Sequence, residues 1–143
     1  MRVLGFDIGT KRVGVAVSDE LGMCANAKDV FTYTTKELLI NKIKNYAEEL
    51  FATEIVIGLP INMDGSLGAS AKAIMEIVET VKKEVSIPVH TFDERFSTVI
   101  AEEFLIEADL SRKKRKKIID AAAAQIILQD YLSMIKQKRD TGI

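Results

Sequence analysis

The stretch VLGFDIGTKRVGVAVS, at residues 3–18, predicts two β-strands joined by a tight turn. Apolar side chains occupy every second position on both sides of that turn, at Leu4, Phe6, Ile8, Val13, Val15 and Val17. A period of two is typical of strands that bury one face. Residues 9–12 are few enough to form a hairpin turn, so the two strands should be antiparallel. Asp7 falls at the end of the first strand, beside the turn.

The next part of the chain predicts a strand, a helix and a buried strand. The third strand should lie within residues 25–33. Thr34 and Glu37 have the spacing of a capping box, which predicts the start of the first helix. Residues 54–60 form an apolar run that stops at a proline, which is the pattern of a fourth strand covered on both faces.

The second half of the chain predicts one more strand among several helices. Apolar residues at helical spacing predict a second helix across residues 71–81, and residues 89–94 indicate a fifth strand. Ser97 or Thr98 could cap a further helix, and a last long helix should begin after Ser111. Strands joined by short turns are antiparallel, whereas strands separated by helices are usually parallel. The sequence therefore predicts an α/β fold with a mixed five-stranded sheet, three antiparallel strands followed by parallel strands, flanked by helices.

Length and composition favour a single cytoplasmic domain spanning residues 1–143. Hydrophobic residues make up 48% of the chain and charged residues 29%, a balance typical of globular domains. The apolar runs are too short to span a membrane, and we expect no export signal at the N-terminus. Cys24 is the single cysteine, which excludes an internal disulfide. The net charge of −1 argues neither for nor against a polyanionic partner.

Three acidic residues at the edges of the predicted elements are candidate metal ligands: Asp7, Glu94 and Asp120. Taken alone, each could equally cap backbone N–H groups at a strand end or helix start. Asp120 is the least ordinary, because the residues at helical spacing after it are all apolar or aromatic: Ala123, Ala124, Ile127 and Tyr131. An inward-facing carboxylate is costly unless it is paired, and a bound cation is one such partner. The alanines at residues 121–124 would let this helix approach the sheet closely.

Three carboxylates suit one or two hard cations such as Mg²⁺ or Mn²⁺, which take oxygen ligands. Two such ions about 3.5–4 Å apart can activate a water and stabilise the leaving oxygen of a phosphodiester. Asp7, on the central strand, is the natural ligand to face both ions. Lys11 and Arg12 follow it closely and could hold the scissile phosphate, or could be solvated residues of the hairpin.

A basic run lies shortly before Asp120 and includes Arg112, Lys113, Lys114, Lys116 and Lys117. Cations at a helix N-terminus oppose the helix macrodipole, at a cost of a few tenths of a kcal/mol each. The run therefore favours a contact with nucleic-acid backbone over a merely solvated helix entrance.

Two other polar residues receive different interpretations. Asn62 lies in a loop after the fourth strand, where α/β folds tend to bind ligands, and is a candidate for the rim of the site. His90 is expected to be a structural strand residue, because the chain has no second histidine with which to form a zinc site.

Four motifs resemble those of the YqgF/RuvX family, in the family's order and across the whole chain. They are DIGTKRVGVAVSD at residues 7–19, GLP at 58–60 with NMDGS at 62–66, DERFST at 93–98, and IDA at 119–121 followed by Ala123 and Ala124. The resemblance implies a ribonuclease-H-like fold, with Asp7, Glu94 and Asp120 matching the catalytic acids. It also implies a nuclease that matures the 5′ end of the 16S ribosomal RNA precursor in ribosome biogenesis. We expect Arg95, within the third motif, to contact the substrate.

Alternative functions follow from the same resemblance and the same fold. The family has also been regarded as a Holliday-junction resolvase, but resolvases of the related RuvC kind carry an acid on the fourth strand. The fourth predicted strand here ends in Gly58, Leu59 and Pro60. Structured RNA is thus the expected partner, with branched DNA as the alternative, and the chain should be a monomer or a homodimer.

Two rivals belong to other classes of protein. One is a non-catalytic RNA-binding factor of ribosome assembly that retains the fold. The other is a sugar kinase or actin-like ATPase, which also begins with Asp-x-Gly-Thr before a hairpin. Those proteins close a second lobe over the nucleotide, and a chain of 143 residues leaves no room for one.

Overall fold

A computed structural model describes the backbone of residues 1–93 and 112–140, and the side chains of residues 1–93 and 121–136. The elements in chain order are β1 (Val3–Ile8), β2 (Arg12–Ser18), β3 (Ala25–Thr32), α1 (Lys36–Glu49), β4 (Glu54–Leu59), α2 (Ala69–Glu84), β5 (Val89–Asp93) and α3 (Arg112–Asp140). Each strand and helix predicted within these ranges is confirmed. The helix predicted near Ser97 or Thr98 lies outside the described residues.

The central strand of the sheet is β1, in the order β3-β2-β1-β4-β5. It pairs antiparallel with β2, and β2 pairs antiparallel with β3. In contrast, β4 pairs parallel with β1, and β5 pairs parallel with β4, because α1 and α2 return the chain to the opposite end of the sheet. The predicted mixed sheet is confirmed. The C-terminal ends of β1, β4 and β5 meet at one edge, which we call the carboxyl edge.

Helices cover both faces of the sheet. On one face, α1 and α2 pack on a large apolar layer that includes Leu4, Phe6 and Ile57. On the other face, α3 packs on a smaller layer that includes Val3 and Val56. Burial on both faces explains the continuous apolar run of β4, as its sequence predicted. Within the described ranges, no helix has a stretch apolar enough to cross a membrane.

The packing of α3 on β1 is closest at Gly5. A Cβ atom at this position would lie 2.9 Å from Cβ of Leu128 and 3.5 Å from the carbonyl oxygen of Ala124. Non-bonded carbon atoms do not normally approach so closely, so the contact requires glycine. Ala123 and Ala124 are both fully buried on the helix side. The alanine run thus permits the close approach that the sequence predicted.

The outer strand β3 is held at its first residue by two glutamines of α3. Oε1 of Gln129 accepts a hydrogen bond from the backbone N–H of Ala25 at 2.9 Å. Nε2 of Gln125 donates to the carbonyl oxygen of the same residue at 3.0 Å. Farther along, the pairing of β2 with β3 shifts register between Val15 and Ala16. The last helix therefore ties down the edge of the sheet as well as its centre.

The N-cap of α1 is Thr35, so the predicted capping box at Thr34 is wrong by one residue. Thr35 has extended backbone angles, and its hydroxyl accepts a hydrogen bond from the N–H of Leu38 at 3.2 Å. The helix then begins at Lys36 and buries Leu39 on the sheet. Two adjacent threonines offer the same capping chemistry, and the tertiary position of the helix decides between them.

Candidate active site

Asp7 is half-buried at the carboxyl edge, next to the last residue of the central strand. Its neighbours Phe6 and Ile8 are buried in the layer covered by α1 and α2. Alternation along the strand therefore directs Asp7 to the other face, which α3 covers at Gly5 two residues earlier. Across the hairpin its partner is Gly14, which adds no side chain beside it. Asp7 is therefore positioned between the sheet and the last helix, where a side chain from each could contribute to one site.

The turn after β1 holds Lys11 and Arg12 at the same edge. The N–H of Gly9 donates to the carbonyl oxygen of Arg12 at 2.7 Å, and a Cβ on Gly9 would lie 2.9 Å from that oxygen. The turn therefore needs glycine at its first position. The carbonyl of Lys11 accepts from the N–H of Tyr33 at 3.1 Å, while the residue itself is exposed. The predicted hairpin is confirmed, and a phosphate contact by these two basic residues stays a prediction.

The backbone of α3 brings residue 120 toward the carboxyl edge. Residue 120 lies about one helical turn before Ala124, whose carbonyl oxygen faces Gly5. Later in the helix, the hydroxyl of Tyr131 donates to Glu54 at the opposite edge of the sheet. The apolar face predicted for this helix is confirmed, because these residues are buried: Ala123, Ala124, Ile127 and Tyr131. The side chain of Asp120 lies outside the described residues.

The end of β5 also reaches the carboxyl edge. Asp93 is its last residue and pairs in register with Leu59 of β4. Phe92, one residue earlier, packs against the apolar cluster on the α3 face. Glu94, the next residue in the sequence, lies outside the described residues, as does Arg95.

The predicted metal site is therefore only partly described. In the part of the chain that the structure describes, no group of three Asp, Glu, His or Cys side chains could hold a metal ion. Two of the three predicted ligands, Glu94 and Asp120, have side chains outside that part. Residues 112–117 form the first turns of α3, but the side chains of this basic run are likewise not described. The convergence of the acids and the role of the run stay predictions.

The loop after β4 is held by its own polar side chains. Oδ1 of Asp64 accepts from the backbone N–H and the hydroxyl of Ser66, at 2.9 and 2.6 Å. Nδ2 of Asn62 donates to the same hydroxyl oxygen at 3.1 Å, and Gly65 adopts a φ of 88°. The two bonds from Ser66 lower the pKa of Asp64. The hydrogen bond to Ser66 holds Asn62 within the loop. Its predicted place on the rim of the active site stays a prediction.

A cavity of about 570 Å³ opens beside Asp7, and sequence reasoning did not anticipate it. It lies between the carboxyl edge, the start of α2 and Tyr33. The hydroxyl of Tyr33 donates to the carbonyl oxygen of Gly9 at 2.5 Å, so the ring is fixed over the hairpin turn. Tyr33, an aromatic residue at the end of the predicted third strand, was a signal in the sequence that could have indicated this wall.

His90 contacts only structural partners among the described residues, as the sequence predicted. Its ring stacks on that of Tyr131 with centroids 5.9 Å apart, and its Nε2 lies 3.9 Å from Oε1 of Glu54. Sequence reasoning treated Tyr131 as part of an apolar face and missed its hydroxyl. Burial and the hydrogen bond to Glu54 raise the pKa of Tyr131.

Similar proteins of known family indicate what this geometry serves. The family model described as "RuvX: Holliday junction resolvase" matches residues 1–134. The chain belongs to the RuvX family. Two relatives in the family are both named "Putative pre-16S rRNA nuclease". The one from Halothermothrix orenii is 48% identical over 133 residues, which cover 93% of this chain and 95% of the relative. The one from Clostridium beijerinckii is 47% identical over 138 residues, which cover 96% and 100%.

Solved structures similar to this RuvX-family chain share its fold. RuvC of T. thermophilus, in complex with a Holliday junction substrate, superposes with a TM-score of 0.60 at 14% identity, covering 95% of this chain and 96% of that one. The fowlpox virus resolvase, in complex with Holliday junction DNA, also gives 0.60, at 10% identity, covering 94% and 99%. These likenesses confirm the predicted ribonuclease-H-like fold. The names of the family and of its relatives are those of nucleases, which confirms the predicted enzyme class.

Proposed function

We propose that this RuvX-family protein is a cytoplasmic, metal-dependent nuclease that processes the 5′ end of the 16S ribosomal RNA precursor. The observation that carries this proposal is the match to relatives named for that RNA, at 47–48% identity over nearly the whole chain. The position of Asp7 supports a catalytic role. This half-buried acid lies near the C-terminal end of the central strand, on the face of the sheet that α3 covers.

The proposed metal ligands are Asp7, Glu94 and Asp120, with Mg²⁺ or Mn²⁺ as one or two ions. The donor set fits hard cations, since all three side chains offer carboxylate oxygens. The close packing of Ala124 on Gly5 supports a short separation between β1 and the start of α3. When bound, the metal would activate a water and stabilise the charge that develops on a phosphodiester.

The remaining residues would bind and orient the strand. Lys11 and Arg12, on the tight turn beside Asp7, would hold the phosphate that is cut, and Arg95 and Asn62 would contact flanking nucleotides. The basic run (Arg112, Lys113, Lys114, Lys116 and Lys117) would bind the backbone at a distance from the chemistry, without sequence preference.

A second candidate function is resolution of four-way DNA junctions, which the description of the family favours. The fourth strand argues against the RuvC arrangement, because β4 ends at Leu59 without an acidic residue after Glu54. Resolution of a junction with two-fold symmetry would also require a homodimer, whereas a monomer could process RNA. A non-catalytic role in ribosome assembly is the third possibility, and only activity separates it from the first.

The decisive experiment compares cleavage by the wild type and by Asp7→Asn on two substrates. One is an RNA that carries the 16S 5′ leader, and the other is a four-way DNA junction, each with Mg²⁺, with Mn²⁺ and with EDTA. We expect metal-dependent cleavage of the RNA by the wild type and a loss of at least about 100-fold in Asp7→Asn, while RNA binding persists.

Asp19→Asn is the matched control, because Asp19 lies in the turn after β2, at the opposite edge of the sheet. Its Oδ1 accepts from the N–H of Met23 at 2.8 Å, and asparagine keeps that acceptor. Equal cleavage by wild type and Asp7→Asn would refute the proposed site. Cleavage of the junction alone would establish the second candidate, and RNA binding without any cleavage would establish the third.

A further inference from the structure

The cavity beside Asp7 is a second feature of the carboxyl edge, next to the proposed metal site. Its volume is about 570 Å³, within the range of about 300–1,000 Å³ found for small-molecule sites. Its described lining consists of Asp7, Ile8, Gly9, Thr10, Tyr33, Pro60, Ala69, Ser70, Ala73, Ile74 and Ile77. The walls thus come from the end of β1, the hairpin turn, Tyr33 and the first turns of α2.

The cavity and the proposed metal site lie on opposite sides of the same strand end. Ile8 lines the cavity and belongs to the apolar layer under α1 and α2. Asp7 also lines it, yet strand alternation directs its side chain to the face covered by α3. A substrate strand lying across the carboxyl edge would therefore meet the proposed metal ligands on one side and the cavity on the other.

The chemistry of the lining favours a neutral, flat, partly apolar occupant. Among the described lining residues, Asp7 is the only charged one, and its carboxylate disfavours a free phosphate as the occupant of the cavity. Ile74 and Ile77 provide apolar surface, and the ring of Tyr33 is fixed by its bond to Gly9. Nucleobases have apolar π faces that stack on such surfaces, and polar edges that accept and donate hydrogen bonds.

Polar groups in the lining of the cavity suit the edge of a base. The hydroxyls of Thr10 and Ser70 can each donate or accept a hydrogen bond. We propose that this cavity binds one unpaired nucleobase of the substrate strand, next to the phosphate that is cut.

This inference rests on the proposed nuclease function, but its first test needs no cleavage. The probes are adenosine 5′-monophosphate and ribose 5-phosphate, which differ only in the base. Titration of the wild type, followed by methyl NMR, should give saturable shifts of Ile8, Ile74 and Ala73 with the nucleotide. Ribose 5-phosphate should leave these methyl signals in place. Equal shifts with both probes, or no shifts with either, would overturn the proposal.

The variant Ala73→Leu fills the cavity without disturbing the core, because Ala73 is exposed on α2 and leucine is a good helix former. It should abolish the shifts of Ile74 caused by the nucleotide. The control is Thr80→Leu, an uncharged change on the same helix outside the described lining. Shifts that persist in Ala73→Leu would show that the base binds elsewhere.

The second test links the cavity to catalysis. Ala73→Leu should raise KM for the RNA substrate by about 5-fold or more, since stacking of one base contributes about 1–3 kcal/mol. Thr80→Leu should keep the KM of the wild type, and an unchanged KM in Ala73→Leu would overturn the link to the substrate. If the wild type shows the methyl shifts but cleaves nothing, the nuclease proposal fails while base binding stands.

Discussion

The hydroxyl of Tyr131 donates a hydrogen bond to the carboxylate of Glu54, joining α3 to the first residue of β4. The side chain of Tyr131 is almost fully buried, and that of Glu54 is 19% exposed. A buried acceptor that loses its donor costs more free energy than an exposed one, because water does not readily replace the donor. The bond therefore helps hold the helix that carries Asp120 against the sheet.

Tyr131→Phe should lower the free energy of unfolding by about 1–2 kcal/mol, because Glu54 keeps its burial and loses its donor. The measurement is urea denaturation at neutral pH. Tyr46→Phe is the matched control, since the half-buried Tyr46 donates from its hydroxyl to Oδ2 of Asp29 at 2.7 Å, and the carboxylate of Asp29 is exposed. We expect this control to lose less than about 1 kcal/mol. Equal losses in the two variants would contradict the idea that burial makes the bond to Glu54 stronger.

Alkaline pH should destabilise the protein through the same tyrosines. Burial and hydrogen bonds to carboxylates raise the pKa of both Tyr131 and Tyr46 above the ordinary tyrosine value of 10.0. The unfolded chain therefore loses these protons first, so the stabilisation is complete below about pH 10 and is lost as pH rises beyond it. Each tyrosine can contribute a slope of up to about 1.4 kcal/mol per pH unit.

Denaturation of the wild type and of the double variant Tyr46→Phe/Tyr131→Phe between pH 8 and pH 11 would measure this slope. The difference between them removes the contribution of lysines, which titrate in the same range. We expect the wild type to lose stability more steeply than the double variant above about pH 10. Parallel curves would show that neither phenol has a raised pKa.

Gly5→Ala should destabilise the protein by about 1–3 kcal/mol, because the new methyl group would meet Cβ of Leu128 at 2.9 Å. The helix must move to relieve this contact, so amide hydrogen exchange in α3 should become faster. Gly65→Ala is a control of another kind. Its loss of stability would come from the backbone φ of 88°, because nothing lies within 4 Å of the Cβ that alanine would add. It should cost about 1 kcal/mol and leave exchange in α3 unchanged. Unchanged exchange in Gly5→Ala would mean that the sheet, not the helix, absorbs the methyl group.

Replacing the lysines of the basic run with glutamine should weaken RNA binding and flatten its salt dependence. The variant changes Lys113, Lys114, Lys116 and Lys117, and the log–log slope should fall by up to about one unit per lost phosphate contact. Turnover at saturating substrate should change little. A control with the same loss of charge on the α1–α2 face changes Lys42, Lys44, Lys82 and Lys83, and should keep the slope of the wild type. Identical salt dependence in both variants would show that the run is only a solvated start of the helix.

The strands and most of the helix positions could be predicted from sequence because their signals are local. The alternation around residues 9–12 determines the hairpin, and the apolar run at residues 54–60 is explained by burial on both faces. The choice between Thr34 and Thr35 as the cap was not predictable, because both offer the same hydroxyl and only packing distinguishes them.

The candidate site was predictable only at the level of individual residues. Asp7 could be assigned to the end of the central strand from local sequence, and the burial of Ala124 in α3 followed from its spacing. The cavity beside Tyr33 arises where four separate segments of the chain meet, and no local pattern encodes it. The bond from Tyr131 to Glu54 spans 77 residues and was missed for the same reason.

An outer strand presents backbone N–H and C=O groups on which a second polypeptide can add as another strand, so an unprotected edge invites aggregation. At the start of β3, the amides of Gln125 and Gln129 already occupy both backbone groups of Ala25. Farther along, the side chain of Asp29 accepts from the N–H of Val30 at 2.8 Å. An incoming chain would first have to displace these partners. Because both glutamines belong to α3, partial detachment of that helix would open the sheet to self-association between molecules.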